Sequence, residues 1–214
     1  MHSALNRLQP MSDFLLRCFI LVLAALLAAC GDPPAKLARL PADAVVLAFG
    51  DSLTFGTGAA EQESYPAQLE LLIGRRVVRA GVPGEVTSQA LARLPAALDE
   101  HSPRVLLLCI GGNDFLRRLG NQQAEQNVHA MVKLAKSRGI DVLLIGTPEP
   151  GLVVSPPGFY ARIAKEFRLP YEEGVITEVL KDEKLKSDQI HPNARGYRVI
   201  AERLAADLKK SGAL

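Results

Sequence analysis

Apolar positions in this chain follow two alternating patterns. Short continuous apolar runs occupy 44–49 (AVVLAF), 104–110 (RVLLLCI) and 141–145 (DVLLI). Unbroken runs of this length, rich in Val, Ile and Leu, predict strands covered on both faces. Residues 76–80 predict a further short strand, and 169–171 a fifth. The segments between them repeat apolar residues at helical spacing. In 65–73 the repeat brings Leu69, Leu72 and Ile73 to one face. In 87–98 it brings Ala90, Leu91, Leu94 and Leu98 together behind Thr87, which has N-cap chemistry. Pro95 is expected to bend that helix or to end its first segment. In 122–138 the stripe is Ala124, Val128, Met131, Val132 and Ala135, with Gly139 as the stop. Residues 158–167 read as helical, and 175–180 as a short helix or turn. The last helix, 194–208, turns Tyr197, Ile200, Ala201, Leu204 and Leu208 inward. Strand and helix in alternation imply parallel pairing with right-handed crossovers. The expected fold is therefore α/β, a three-layer α/β/α sandwich on a mainly parallel sheet of about five strands.

The first thirty residues depart from this pattern. Arg7 and Arg17 precede the apolar run 19–29 (FILVLAALLAA). That run is shorter than the about 20 apolar residues of a membrane-spanning helix. It suits the apolar core of a secretory signal, so 1–29 is expected to be one, working equally well from Met11. Its end, Leu27-Ala28-Ala29-Cys30, resembles the lipobox of bacterial lipoproteins. That resemblance implies cleavage before Cys30, lipidation there and a membrane anchor. A plain secretory signal cut near Ala29 would instead release the protein. Residues 30–42 contain three prolines between 31 and 42 and read as a linker, leaving 43–214 as the folded domain.

Composition narrows the function. The 214 residues carry a net charge of +2 with no long basic run, so no nucleic-acid partner is expected. Of the three cysteines, Cys18 and Cys30 lie in the leader region. Cys109 sits in an apolar run and reads as a small core residue, so no internal disulfide is expected. A single domain of this length buries one sizeable core and is expected to be a monomer.

Candidate chemistry gathers in four segments at the expected carboxyl ends of strands, where open α/β sheets bind ligands. They are Asp51-Ser52, the 80–85 loop with Gly84, Gly111-Gly112-Asn113-Asp114, and Asp188-Gln189-Ile190-His191-Pro192. Ser52 is the candidate nucleophile, and a serine nucleophile needs a general base within hydrogen-bond reach. Among four histidines, His2 is in the leader, His101 precedes a Ser-Pro turn and His129 sits in a helix just off its apolar stripe. His191 remains as the base, beside a proline suited to the first turn of a helix. Asp188 is close enough to orient it. Donors for a developing oxyanion are the Ser52 N–H, the Gly84 N–H and the Asn113 amide. Each has a structural reading too: an Asx turn at Asp51-Ser52, a turn and cap at His191-Pro192, a turn glycine at Gly84, a cap at Asn113. Asp51 reads as structural, its carboxylate satisfying loop N–H groups.

Taken together, Gly50-Asp51-Ser52-Leu53-Thr54, Gly84, Gly112-Asn113-Asp114 and Asp188 to Pro192 resemble the blocks of the SGNH, or GDSL, hydrolase family, in order and approximate spacing over the whole domain. The stretch 87–95 further resembles its arylesterase and thioesterase I/lysophospholipase branch. The resemblance implies a flavodoxin-like sandwich, Ser52 as nucleophile, His191 as base, Asp188 as its anchor, and Ser52, Gly84 and Asn113 as the oxyanion hole. It implies no metal and no organic cofactor. Its substrates are acyl esters, aryl esters, thioesters and lysophospholipids. With the leader, this implies a serine esterase of the bacterial cell envelope, periplasmic and anchored or secreted, acting on small or lipid esters. Carbohydrate O-deacetylation is the alternative on the same fold. A non-catalytic binding lipoprotein is a third reading, disfavoured because binding alone needs none of these four groups together. Two departures stand out: Arg79 replaces an asparagine common in the family, and the segment between Pro148 and Asp188 is short. Residues 151–154 and 156–160 are expected either to line an apolar acyl groove or to pack as surface loops.

Overall fold

Continuous apolar runs become strands here because alternate residues of each feed two different cores. In the computed structural model, which describes residues 35–151 and 154–214, the elements follow one another as β1 (Val45–Gly50), α1 (Ser52–Phe55), α2 (Tyr65–Ile73), β2 (Arg76–Gly81), α3 (Thr87–His101), β3 (Val105–Cys109), α4 (Gly112–Leu116), α5 (Asn121–Ser137), β4 (Asp141–Ile145), α6 (Phe159–Phe167), β5 (Tyr171–Glu172), α7 (Val175–Lys181) and α8 (Ala194–Lys210). The expected signal, Cys30, the linker up to Pro34, and Leu152 and Val153 lie outside the described residues. All strand pairs are parallel, in the order β2-β1-β3-β4-β5. Val46 and Ala48 of β1, Val105 and Leu107 of β3, and Leu143 of β4 pack on one side with Leu69, Val175, Val179, Tyr197 and Leu204. Leu47 and Phe49, Leu106 and Leu108, and Val142 and Leu144 pack on the other with Ala90, Leu94, Val128, Met131 and Ile163. Helices α2, α7 and α8 thus cover one face and α3, α5 and α6 the other, which gives the expected three layers.

Several local expectations are corrected. Thr87 is the first residue of α3 and not its cap; its N–H and hydroxyl both donate to Asp114, at 2.8 and 2.6 Å. The first turn is therefore satisfied from α4, 27 residues away. Helix α3 also runs through Pro95 without ending. Pro192 lies outside α8, whose cap is Asn193, accepting from Arg195 and Gly196 at 3.0 and 3.1 Å. The described end of the segment read as linker is part of the fold. Leu37 and Leu40 are buried, and their N–H groups donate to the carbonyls of Ser211 and Ala213 at 2.9 and 2.8 Å. Two leucines three residues apart outweigh the prolines around them. Cys109 is buried and free, as a core residue should be.

One cluster, between the end of β5 and α8, gives the fold a pH dependence. Burial, and then the neighbouring Glu172 carboxyl, push Asp207 of α8 up to about 7. Glu172 already accepts from the N–H groups of Gly174 and Val175, at 2.8 and 2.7 Å. A group whose pKa is higher folded than unfolded loses its stabilising contribution as pH rises through the folded value. Stability should therefore fall as pH climbs from 3.8 to about 7. Asp207→Asn is expected to raise the thermal midpoint over wild type increasingly across that window. A difference that stays constant with pH would refute the assignment.

Candidate active site

The site is built where β1 and β3 end. Gly50 closes β1 because a Cβ there would stand 1.9 Å from the Cys109 carbonyl oxygen. Asp51 follows and caps α1, its Oδ1 accepting from the Leu53 N–H at 3.1 Å. Burial pushes the Asp51 carboxyl up to about 7, against the pull of that N–H. Its role is structural, as expected. The turn it caps sets Ser52 at the edge of a cleft.

On the far side of the cleft the 187–192 loop is tied back on itself. The Ser187 N–H donates to the His191 carbonyl at 2.9 Å, and Asn193 Nδ2 donates to the carbonyls of Lys184 and Lys186, both at 3.0 Å. Within that loop Asp188 Oδ1 accepts from the N–H groups of Ile190 and His191, each at 2.8 Å. Asp188 Oδ2 lies 2.7 Å from His191 Nδ1, and His191 Nε2 lies 3.0 Å from Ser52 Oγ. The slight burial of Asp188 favours its neutral form, but the His191 ring and the two N–H groups outweigh that and hold its carboxyl below the ordinary range. An ionised Asp188 accepting at Nδ1 puts the ring proton on Nδ1 and leaves Nε2 free to accept from the Ser52 hydroxyl. Hydroxyl, imidazole and carboxylate thus stand in series, and a proton can pass from Ser52 to His191.

Of the other two sequence-predicted groups, Asn113 lines the same cleft, whereas Gly84 is not among its lining residues. Asn113, in α4, donates from Nδ2 to the Glu85 carbonyl at 3.0 Å, with Asp51 Oδ2 at 3.5 Å. Gly84 adopts φ +77°, a conformation that favours glycine, and its carbonyl accepts from Arg117 Nη2 at 2.8 Å. Ser52, Asn113 and His191 line one cleft with Leu116, Pro148, Pro150, Val154, Leu180 and Ile190. It encloses about 660 Å³ of empty space, counted out to open solvent. The groove expected from 151–154 is represented by Val154. Residues 156–160 do not line it: Phe159 and Tyr160 are buried and stacked on one another at 4.2 Å, and the Tyr160 hydroxyl donates to the Ile110 carbonyl at 2.7 Å. Their apolar character serves the core.

Supporting residues were missed at the level of sequence. Arg93 of α3 donates to both Glu85 oxygens, at 2.8 and 2.7 Å, and to the Ala80 carbonyl at 3.1 Å. Its guanidinium also lies 4.0 Å from the Phe49 ring centroid. The pair fixes Glu85, whose carbonyl holds Asn113. The available signal was an arginine among the apolar residues of α3, eight residues from the one acid in the Gly84 loop. Asp114 is a strut, since the Thr87 hydroxyl it holds in turn accepts from Asn127 Nδ2 at 2.9 Å. Arg79, the departure from the family pattern, donates to the Phe55 carbonyl at 2.7 Å and pairs with Glu61 at 2.9 Å. It therefore supports the turn after α1.

The family model described as GDSL-like Lipase/Acylhydrolase family matches residues 48–199. The Escherichia coli (strain K12) protein "Thioesterase 1/protease 1/lysophospholipase L1" is 34% identical over 179 residues, 80% of this chain and 86% of that protein. An "Arylesterase" from Vibrio mimicus is 30% identical, covering 77% of this chain and 88% of its own length. Among solved structures, AlinE4, described as an SGNH-hydrolase family esterase, superposes with a TM-score of 0.64 at 30% identity, over 82% of this chain and 100% of its own. This chain belongs to the GDSL-like lipase/acylhydrolase family and is a carboxylic ester hydrolase.

Proposed function

We propose that this hydrolase cleaves acyl and aryl esters through an acyl-enzyme on Ser52, with His191 as general base and Asp188 as its anchor. The observation that carries the reading is the unbroken series from Ser52 Oγ to His191 at 3.0 Å and on to Asp188 at 2.7 Å, at the edge of an apolar cleft. Ser52 Oγ attacks the ester carbonyl carbon as its proton moves to His191 Nε2. Asp188 stabilises the imidazolium so formed. The carbonyl oxygen takes up the negative charge and receives hydrogen bonds from the Ser52 N–H, the Gly84 N–H and Asn113 Nδ2. Collapse expels the alcohol, which leaves with the proton from Nε2. Water then attacks the acyl-enzyme, giving its proton to His191, and the acid departs as that proton returns from Nε2 to Ser52 Oγ.

Leu53, Leu116, Pro148, Pro150, Val154, Leu180 and Ile190 give the cleft a mainly apolar surface, which supports an acyl chain as the group bound there. The names of the relatives, a thioesterase and lysophospholipase and an arylesterase, support the same substrate range. The leader 1–29 and Cys30 support an address in the bacterial cell envelope, with an anchor at Cys30. Hydrolysis of p-nitrophenyl esters from acetyl to long acyl tests the substrate reading: turnover should rise beyond acetyl. A sharp preference for acetyl would transfer the assignment to deacetylation. Asn113→Ala is expected to lower kcat by roughly 10²–10³ with little change in KM, because its bond forms only as the oxyanion develops. Unchanged kcat would remove Asn113 from the oxyanion hole.

A further inference from the structure

Four large apolar side chains stand exposed at the end of α4 and on three loops: Leu116 at 44%, Leu119 at 52%, Val82 at 40% and Ile190 at 39%. Leu116 and Ile190 line the cleft itself. Leu119 lies just beyond Leu116, and Val82 sits two residues before Gly84, whose carbonyl is held by Arg117.

Leu119 is held out by a built feature. The N–H of Arg118 donates to the Phe115 carbonyl at 3.1 Å and that of Leu119 to the Asp114 carbonyl at 2.9 Å. This pair of bonds is a Schellman cap on α4, which ordinarily has glycine at the left-handed position. Here that position is Arg118, at φ +54°, a conformation costly for a residue with a side chain. In such caps the next apolar residue usually folds back on the helix. Leu119 instead stays half-exposed beside two arginines.

The rim carries two cations that form no ion pair among the described residues. Arg117 and Arg118 are both exposed. The neighbouring acids are engaged: Glu85 with Arg93, Asp114 with Thr87, Asp188 with His191, and Glu149 with Asn121 at 3.0 Å.

We propose that this rim is a docking surface for an anionic lipid interface, with Leu119 and Val82 entering it and Arg117 and Arg118 on its phosphates. Apolar prongs flanked by cations match the boundary between headgroups and acyl chains. Docked there, the mouth of the cleft faces the lipid, and an acyl ester passes along Leu116 and Ile190 to Ser52 without crossing bulk water. The proposal rests on the reading of the cleft as the ester-cleaving site, and docking is measured apart from turnover.

The chain contains no tryptophan, so Leu119→Trp in the full-length Ser52→Ala chain carries a single reporter at the rim. Leu71→Trp in the same background is the control, since Leu71 is 79% exposed on the end of α2 that leads into the start of β2. With phosphatidylcholine vesicles containing phosphatidylglycerol, emission from position 119 should shift to the blue and emission from position 71 should not. Pure phosphatidylcholine should give a weaker response. Arg118→Gln should lower affinity for the anionic vesicles roughly five-fold, the weight of one basic residue near such a surface. No shift at 119, or equal shifts at both positions, would overturn the proposal. A shift without vesicles that grows with protein concentration would assign the face to a second copy and overturn it equally. None of these outcomes bears on Ser52, whose assignment stands or falls on turnover.

Discussion

Ser52→Ala is expected to lose roughly 10⁴–10⁶ in kcat on a p-nitrophenyl ester while keeping its fold and much of its affinity for substrate. The reason is local. Ser52 Oγ is the hydroxyl that His191 Nε2 reaches, at 3.0 Å, and an alanine leaves the base with nothing to deprotonate. The fold should survive because the turn is held by its neighbours: Asp51 caps Leu53 at 3.1 Å, and the Gly56 N–H bonds the Ser52 backbone carbonyl at 3.0 Å, a contact that alanine keeps. Steady-state kinetics and a melting curve on the same preparation check both halves. A variant with most of the wild-type rate would mean that another group attacks the ester.

His191→Ala should cost a similar factor, and the double variant should be no slower than either single one. The two residues act as one unit, so removing the second after the first has little left to remove. Losses that multiplied would mean that Ser52 and His191 act in separate steps. The fold is less insured in this variant than in Ser52→Ala, because the loop relies on Asp188. The Asp188 contacts to the N–H groups of Ile190 and His191, both 2.8 Å, do not involve the ring and should persist. His191→Gln, which keeps a polar side chain of similar reach, controls for loop collapse and should be equally slow.

Elements whose pattern is decided by burial on two sides were legible in the sequence. β4 occupies 141–145 as expected, because every residue after Asp141 is buried. The stripe of α5 was legible for the same reason: Ala124, Val128, Met131, Val132 and Ala135 are all buried. Features decided by distant partners were not. Thr87 looked like a cap because the sequence does not reveal that Asp114 would reach it. Pro95 read as a bend or a stop because its lost N–H is a local penalty; the helix does not stop there, because the buried Leu94, Ala97 and Leu98 that carry α3 past it gain from cores assembled elsewhere. Residues 35–42 looked like linker from their prolines, and only the C-terminal residues Ser211 and Ala213 supply the partners that fix Leu37 and Leu40.

At the site, the groups that meet substrate were legible and their supports were not. Gly84, Asp188 and His191 stand on loops, and Ser52 and Asn113 lie in the first turns of two helices of only four and five residues, where a chemically loaded residue has no core to explain it. Arg93, by contrast, lies on a helix that is otherwise explained by its apolar stripe, so its contacts to Glu85 and to the Phe49 ring left no trace in the periodicity. The apolar segment 156–160 misled in the opposite sense, because aromatic content alone does not separate a groove wall from a core.

The central claim, that ester cleavage passes through Ser52, is tested most directly by trapping. A fluorophosphonate reacts covalently with a serine that is activated by a neighbouring base. After inactivation, intact mass should rise by one phosphonyl group per chain, and peptide mapping should place it on Ser52. The label should be absent from Ser52→Ala and from His191→Ala. Full loss of activity with the adduct on any other residue, or labelling of Ser52→Ala at the wild-type rate, would contradict the account.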